Sequence, residues 1–397
     1  MKICYCLKKE WKHLWHGKMP AVLIVWLLPL VFTLAFGFIY YQNTVESIAT
    51  VVYDEEQSAV SRTVVEAYSD SDKFKIVAQA DSYEAMQAEL AEHRALVGLY
   101  IPKDLAKSIK QGQPVNLLLI INSANNMFGN AALTAATEIN KTLSTGIAAN
   151  LLEAKNLLPS AALNTVYPVR LGVRIVNNPA TGYSSFMLAG LTMNGLQIAI
   201  MLVLCPLIAR EFREHNYGND ISSAIIIFTK ALLVATIAVI AFGLDLIFLH
   251  YMFAIPIKGS LLAIFAIIAA FSLAVAGIMT VFAAISSDEV MSIEIPLLYI
   301  MPGLLYSGLS WPDFYMNDLA ISIAKLFPLW HAGDAVRDLL LAGYTSDLVK
   351  NIWQLIVMGS CSMIFSAGIF AMRRRCGAAK IIAFFKSFIG VKKGGRT

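Results

Sequence analysis

Residues 19–41 read MPAVLIVWLLPLVFTLAFGFIYY, an apolar run without a charged side chain. A helix rises ~1.5 Å per residue, so roughly 20 such residues cross a hydrocarbon core ~30 Å thick. A cleaved leader has an apolar core of only about 7–15 residues followed by a small-x-small site. Here the apolar part is longer and the chain continues as Gln42-Asn43-Thr44. The stretch therefore reads as a retained anchor. Five further stretches have the length and apolarity to follow it across a bilayer: 183–208, 223–249, 260–285, 291–309 and 351–372.

Composition agrees. Of 397 residues, 57% are hydrophobic and only 15% charged, against about 25% charged in soluble domains. The net charge of +4 gives no reason to invoke nucleic acid. The placement of the basic residues says more. Lys2, Lys8, Lys9, Lys12 and Lys18 precede the first stretch, and Arg373, Arg374, Arg375, Lys380, Lys386, Lys392, Lys393 and Arg396 follow the last. Lys and Arg stay on the cytoplasmic side, so both termini are expected inside. An even number of crossings is then required, and six satisfies it. Residues 1–18, which mix Trp11, Leu14 and Trp15 with lysines, suit a helix in the cytoplasmic interface. Residues 373–397 form a basic cytoplasmic tail.

About 140 residues separate the first two stretches, enough for an independent core. Residues 42–182 are expected to form an extracytoplasmic α/β domain. The pattern predicts strands at 48–53, 74–78, 96–101, 115–121 and 169–175. It predicts helices at 59–68, 82–92, 102–110 and 126–158, with Ser82 as an N-cap and Pro102 opening its helix. His93, the only histidine in this region, is expected on a polar helix as a solvated residue. The five cysteines, Cys4, Cys6, Cys205, Cys361 and Cys376, leave this domain without disulfides, which suits a bacterial envelope protein. Cys4 and Cys6 are too few for a zinc site and read as free thiols.

The fold class expected is thus an α-helical membrane protein with six transmembrane helices and an α/β domain inserted between the first two. Residues 183–372 form its five-helix membrane domain. Within that domain, 301–312 read MPGLLYSGLSWP, broken at Pro302, Gly303, Gly308 and Pro312, with Ser307 between them and Pro328 further on. Backbone broken at membrane depth must be covered by protein or line a cavity. Residues 301–343 are therefore expected to be a re-entrant segment near the outer face. Asp245 lies inside the third stretch, where a carboxylate must be paired or wet, and is the candidate for the pathway. No P-loop and no His-Glu-x-x-His motif occurs, so this chain has no ATP-hydrolysing motif of that kind. An intramembrane enzyme would need more than Asp245 and the nearby His250.

Several of these residues together resemble the permease subunit of the type-2 ABC exporter family. They are Val51-Val-Tyr-Asp-Glu-Glu-Gln-Ser58 with Ser61-Arg62, Val97-Gly-Leu-Tyr-Ile-Pro102, Asn177-Asn-Pro179, the 302–312 pattern, Phe327-Pro-Leu329, and Arg337 through Gly343. The family's Gly-Thr pair after the second span is missing. Glu211 and Glu214 are followed instead by His-Asn-Tyr-Gly, residues 215–218. The ATPase-coupling residues are therefore placed by topology: Glu211, Phe212, Arg213, Glu214, Tyr217 and Gly218. The resemblance implies an exporter of drug-like or lipid-like substrates across the bacterial inner membrane. Two like or related permeases would form the pathway, as a homodimer or heterodimer. A separate ABC ATPase subunit would bind ATP and magnesium, with no cofactor on this chain. The substrate would leave past the re-entrant segment, and a periplasmic adaptor is compatible with this arrangement. An anchored surface receptor of the phage-attachment type, without transport, is the other reading the residues leave open.

Overall fold

The computed structural model describes residues 2–16, 21–41, 44–111, 113–124, 126–153, 177–178, 182–214, 217, 221–286 and 288–376. The chain divides into two compact units, one of Met1–Asn43 with Ile175–Thr397, the other Thr44–Arg174.

The first unit is helical: α1 (Lys2–His16), α2 (Ala21–Ile39), α7 (Tyr183–Glu214), α8 (Ser223–Tyr251), α9 (Leu261–Ile285), α10 (Met291–Leu305), α11 (Asp318–Ala324), α12 (Pro328–Leu341) and α13 (Leu348–Cys376). Five of these, α2, α7, α8, α9 and α13, are long and apolar enough to cross a membrane. The stretch expected at 291–309 is shorter. It forms α10, of 15 residues, or ~22 Å at 1.5 Å each, less than the ~30 Å of hydrocarbon. Pro302 and Gly303, expected as breaks, lie inside α10. The break comes after Leu305, where the Ser307 hydroxyl bonds Leu304 O at 2.6 Å and Gly308 turns the chain at φ +79°. Only glycine adopts that φ cheaply. A 3-10 turn, Asp313–Tyr315, then follows Pro312, and Pro328 opens α12 at its first turn, where its missing N–H is harmless.

The tightest helix pair is α9 with α13. A Cβ on Gly277 would stand 2.4 Å from Gly359 O, and one on Gly359 2.7 Å from Leu273 O. Two bare backbones meet here, as small residues allow in membrane helices. At the other end of α12, the N–H of Lys258 donates to Leu340 O at 3.1 Å and that of Gly259 to Leu339 O at 2.9 Å. The loop between α8 and α9 thereby satisfies carbonyls that the end of α12 leaves unpaired.

The second unit holds β1 (Ile48–Asp54), α3 (Ala59–Ser69), β2 (Phe74–Gln79), α4 (Tyr83–Ala91), β3 (Val97–Ile101), α5 (Leu105–Lys110), β4 (Leu118–Ile121) and α6 (Asn126–Glu153). The sheet order is β2-β1-β3-β4, parallel except for β4. The Asp54–Ser61 segment has a local cause. Asp54 accepts the N–H groups of Glu56 and Gln57 and the Ser61 hydroxyl, while Ser58 and Ser61 close a capping box at the start of α3. Ser82 caps α4 as expected. The helix expected to open at Pro102 begins instead at Leu105, where Glu56 accepts the N–H groups of Leu105 and Ala106. A carboxylate on first-turn amides stabilises a helix start, and the intervening Asp104 is left-handed, φ 62°. His93 lies beyond α4, exposed and left-handed, with Nδ1 3.3 Å from the Asn122 amide. The expected strand at 169–175 and the end of the helix at 126–158 lie outside the described residues.

Candidate functional site

A buried ionic cluster assembles between α1, the end of α7, the start of α8 and the end of α13. The helix α1 is amphipathic. Cys6, Glu10 and Leu14, each four residues apart, are buried, while Trp11 and Trp15 stack on its exposed face with centroids 5.9 Å apart. Residues four apart share a helix face, so the spacing delivers Glu10 inward. Lys230, two turns into α8, is 2% exposed. Its Nζ stands 2.7 Å from Glu10 Oε1 and 3.6 Å from Glu211 Oε2. The Tyr217 hydroxyl donates to Glu10 Oε1 at 2.7 Å, and the Tyr217 N–H to Glu211 Oε1 at 3.1 Å. Burial, then the Glu10 bond, push the Tyr217 phenol far above its ordinary pKa, so it stays a donor. Burial and then Glu10 also raise the Cys6 thiol. Lys9 lies 4.4 Å over the Tyr217 ring.

Arginines tie this cluster to the end of α13. Arg374 donates to Ile221 O and Tyr217 O, each at 3.0 Å. Arg373 bonds Ala284 O and Ser286 O, carbonyls at the end of α9, and lies 3.8 Å over the Phe212 ring. Phe212 in turn packs on Phe370 at 4.5 Å. Arg210 pairs with Glu289 at 2.7 Å. Buried charges survive only when paired and hydrogen-bonded. These contacts tie Glu211, Phe212, Tyr217, Ile221 and Lys230 to α1 and α13. Among the described residues the cluster offers no nucleophile–base pair and no group of three His, Cys, Asp or Glu that could hold a metal.

Of the residues expected for coupling, Glu211 and Tyr217 enter this cluster and Phe212 borders it. Arg213 and Glu214 lie on α7, with side chains outside the described set, and Gly218 is outside it altogether. Sequence reasoning missed Glu10, Lys230 and the two arginines. Lys230 had a signal, because a lysine inside an apolar span needs a partner. Asp245 is 0% exposed within the helical unit, and neither carboxylate oxygen has a hydrogen-bond partner among the described residues. Within residues 301–343, Gly308 lies against Asp334, a residue of α12 that pairs with Arg337 at 3.0 Å.

Residues 20–367 match the family described as ABC-2 family transporter protein. The probable multidrug ABC transporter permease YbhR of Escherichia coli (strain K12) is 23% identical over 368 residues, which is 90% of this chain and 92% of that protein. Its counterpart in Escherichia coli O157:H7 aligns with the same values. ABC transporter G family member 20 of Dictyostelium discoideum is 25% identical over 138 residues, 34% of this chain and 19% of its own length.

Proposed function

We infer the function from one premise: the chain belongs to the ABC-2 family of transporter proteins. It is a multi-pass membrane protein and a transporter subunit. In our reading it is the permease subunit of an exporter in a bacterial inner membrane, driven by a separate ABC ATPase that binds ATP and magnesium. Both termini are cytoplasmic, α10 completes a sixth, short crossing, and unit 44–174 stands outside. Two permeases, identical or related, enclose the pathway. The substrate is drug-like or lipid-like and leaves past residues 301–343. Asp245 serves that pathway in another conformation, and a periplasmic adaptor is compatible with the external unit.

The observation that carries this reading is the Glu10–Lys230–Glu211–Tyr217 cluster. A force applied by an ATPase to the 209–220 connection or to α1 reaches α8 and α13 through it without slack, which is what rigid-body switching requires. The similarity to the bacterial relative, a probable multidrug permease, supports the substrate class. The test is co-expression with a candidate ATPase and ATP-dependent uptake of an apolar fluorescent dye into inverted vesicles. Glu211→Gln should lower uptake while the ATPase still co-purifies. Dye movement by the chain alone, without a nucleotide-hydrolysing partner, would refute the reading.

A further inference from the structure

A groove of about 290 Å³ lies where α1, α8 and α13 meet, and every residue lining it is apolar. Ile3 of α1, Phe228 of α8 and Ile364 of α13 stand exposed along it, while Ile227 and Met363 are its buried lining. Ala224, in the first turn of α8, marks its upper end, and Phe228 lies ~8 Å from the helix start. The groove is therefore shallow in the bilayer, at the depth where acyl chains leave the headgroup layer. Just beyond Ala224 the chemistry changes. Ser222 makes no side-chain cap, and the first α8 amide with an acceptor in the helix is that of Ile226, bonded to Ser222 O at 3.2 Å. The amides before it have no such acceptor and stand at the positive end of a 29-residue helix dipole. Arg374 is held beside them, donating to Ile221 O at 3.0 Å. The same end of the helical unit gathers Lys2, Lys8, Lys9, Lys12 and Lys18 and the eight basic residues of 373–397. Against these, the two segments carry one acid, Glu10, which Lys230 already pairs. The 209–222 connection is near balance, with Arg210 and Arg213 against Glu211, Glu214 and Asp220.

An apolar groove closed at its upper end by a cationic rim is complementary to a molecule with an apolar chain and an anionic head. We propose that it binds one anionic phospholipid, with an acyl chain in the groove and the phosphate at the start of α8 beside Arg374. Any lipid tail could fill the groove, since its lining makes no distinction. The rim makes the selection, because basic side chains and helix amides favour a net negative headgroup over a zwitterionic one. The bound lipid touches α1, α8 and α13 at once. It thereby holds α1 against α8, the contact that keeps Glu10 on Lys230. The leaflet is the cytoplasmic one on the orientation proposed above. The binding itself depends neither on that orientation nor on what is transported.

The probes are dioleoyl-phosphatidylglycerol and dioleoyl-phosphatidylcholine, which share their chains and differ in head charge. Full-length protein in mild detergent is titrated with each, and the first bound lipid is counted by native mass spectrometry. The glycerol lipid should bind about fivefold tighter, the worth of one basic contact near a membrane surface. Arg374→Gln should remove that preference. Ala224→Trp and Ile364→Trp fill the groove from two walls and keep its surface apolar. Each should lower the first binding step about fourfold or more, the worth of one buried methylene. Leu262→Trp, on an exposed apolar site at the start of α9, should change nothing. Equal binding of the two lipids, or binding unchanged in both groove-filling variants, would overturn the assignment. So would glycerol-lipid binding that appears only after residues 377–397 are removed, which would give the groove to the chain's own tail. Sidedness is read separately, by thiol labelling of Lys392→Cys. Labelling from outside the cell would reverse the orientation and reassign the leaflet, with the lipid still bound.

Discussion

Replacing Lys230 with methionine is expected to destabilise the helical unit sharply. The methionine keeps the length and apolar stem of the lysine but removes the ammonium 2.7 Å from Glu10 and 3.6 Å from Glu211. Both carboxylates are buried, at 4% and 5% exposure. Each keeps one donor, the Tyr217 hydroxyl for Glu10 and the Tyr217 N–H for Glu211. Removing one member of a buried ion pair costs about 3–5 kcal/mol. In domains of comparable size each kcal/mol shifts Tm by about 2–4 °C, so a fall of about 6–20 °C follows. The triple variant Glu10→Gln, Glu211→Gln, Lys230→Met has no buried charge left at this position. It should recover most of the loss, since replacing a whole buried pair is often neutral. Detergent-solubilised protein heated in steps and followed by fluorescence-detected size-exclusion chromatography gives the midpoints. A Lys230→Met protein melting within 2 °C of wild type, or a triple variant no better than the single, would refute the reasoning. The first result would mean the charges are solvated, the second that the loss is steric.

Gly277→Ala should lower the melting point, since its methyl would meet Gly359 O at 2.4 Å and force α9 from α13; overpacking of this kind typically costs about 1–3 kcal/mol. Gly368→Ala on the same α13 meets nothing within 4 Å and should match or exceed wild type, so equal losses in both would contradict the packing. In the sheet unit, the Tyr100 hydroxyl at 2.7 Å and then Lys103 at 3.0 Å hold the Glu55 carboxyl below its usual pKa. A depressed folded pKa stabilises above the unfolded value of ~4.3 and loses that contribution as pH falls through the folded value. Amide-exchange protection of β1 and β3 should therefore exceed that of Glu55→Gln at pH 6 and converge with it near pH 3; a gap that widens on acidification would reverse the sign.

The long helices were legible because a bilayer sets one demand, ~20 apolar residues, that hydropathy alone reads. Ser82 was legible for a similar reason, since a serine before a helical pattern satisfies amides that have no other local partner. The start of α5 was misread at Pro102 because its amides are satisfied by Glu56, a residue of the loop between β1 and α3. The span predicted at 291–309 came out short because hydropathy does not register the turn at Gly308. The ionic cluster was half legible. Loop position alone pointed to Glu211 and Tyr217. Glu10 lies 207 residues from the Tyr217 that bonds it, and no local pattern carries that pairing. Arg373 and Arg374 were read as markers of the cytoplasmic side, a rule blind to whether an arginine is solvated or, as here, bonded to backbone carbonyls, Arg373 buried and Arg374 half-buried.

The pair of backbone bonds from Lys258 and Gly259 to Leu340 and Leu339 has a mechanical consequence. Chain segments some 80 positions apart are stitched so that neither can swing independently. A peptide tag or a protease site inserted at 257–260 would unfasten α12 as well as lengthen a loop. Any opening movement on that side must carry the two as a single lever, with its fulcrum elsewhere.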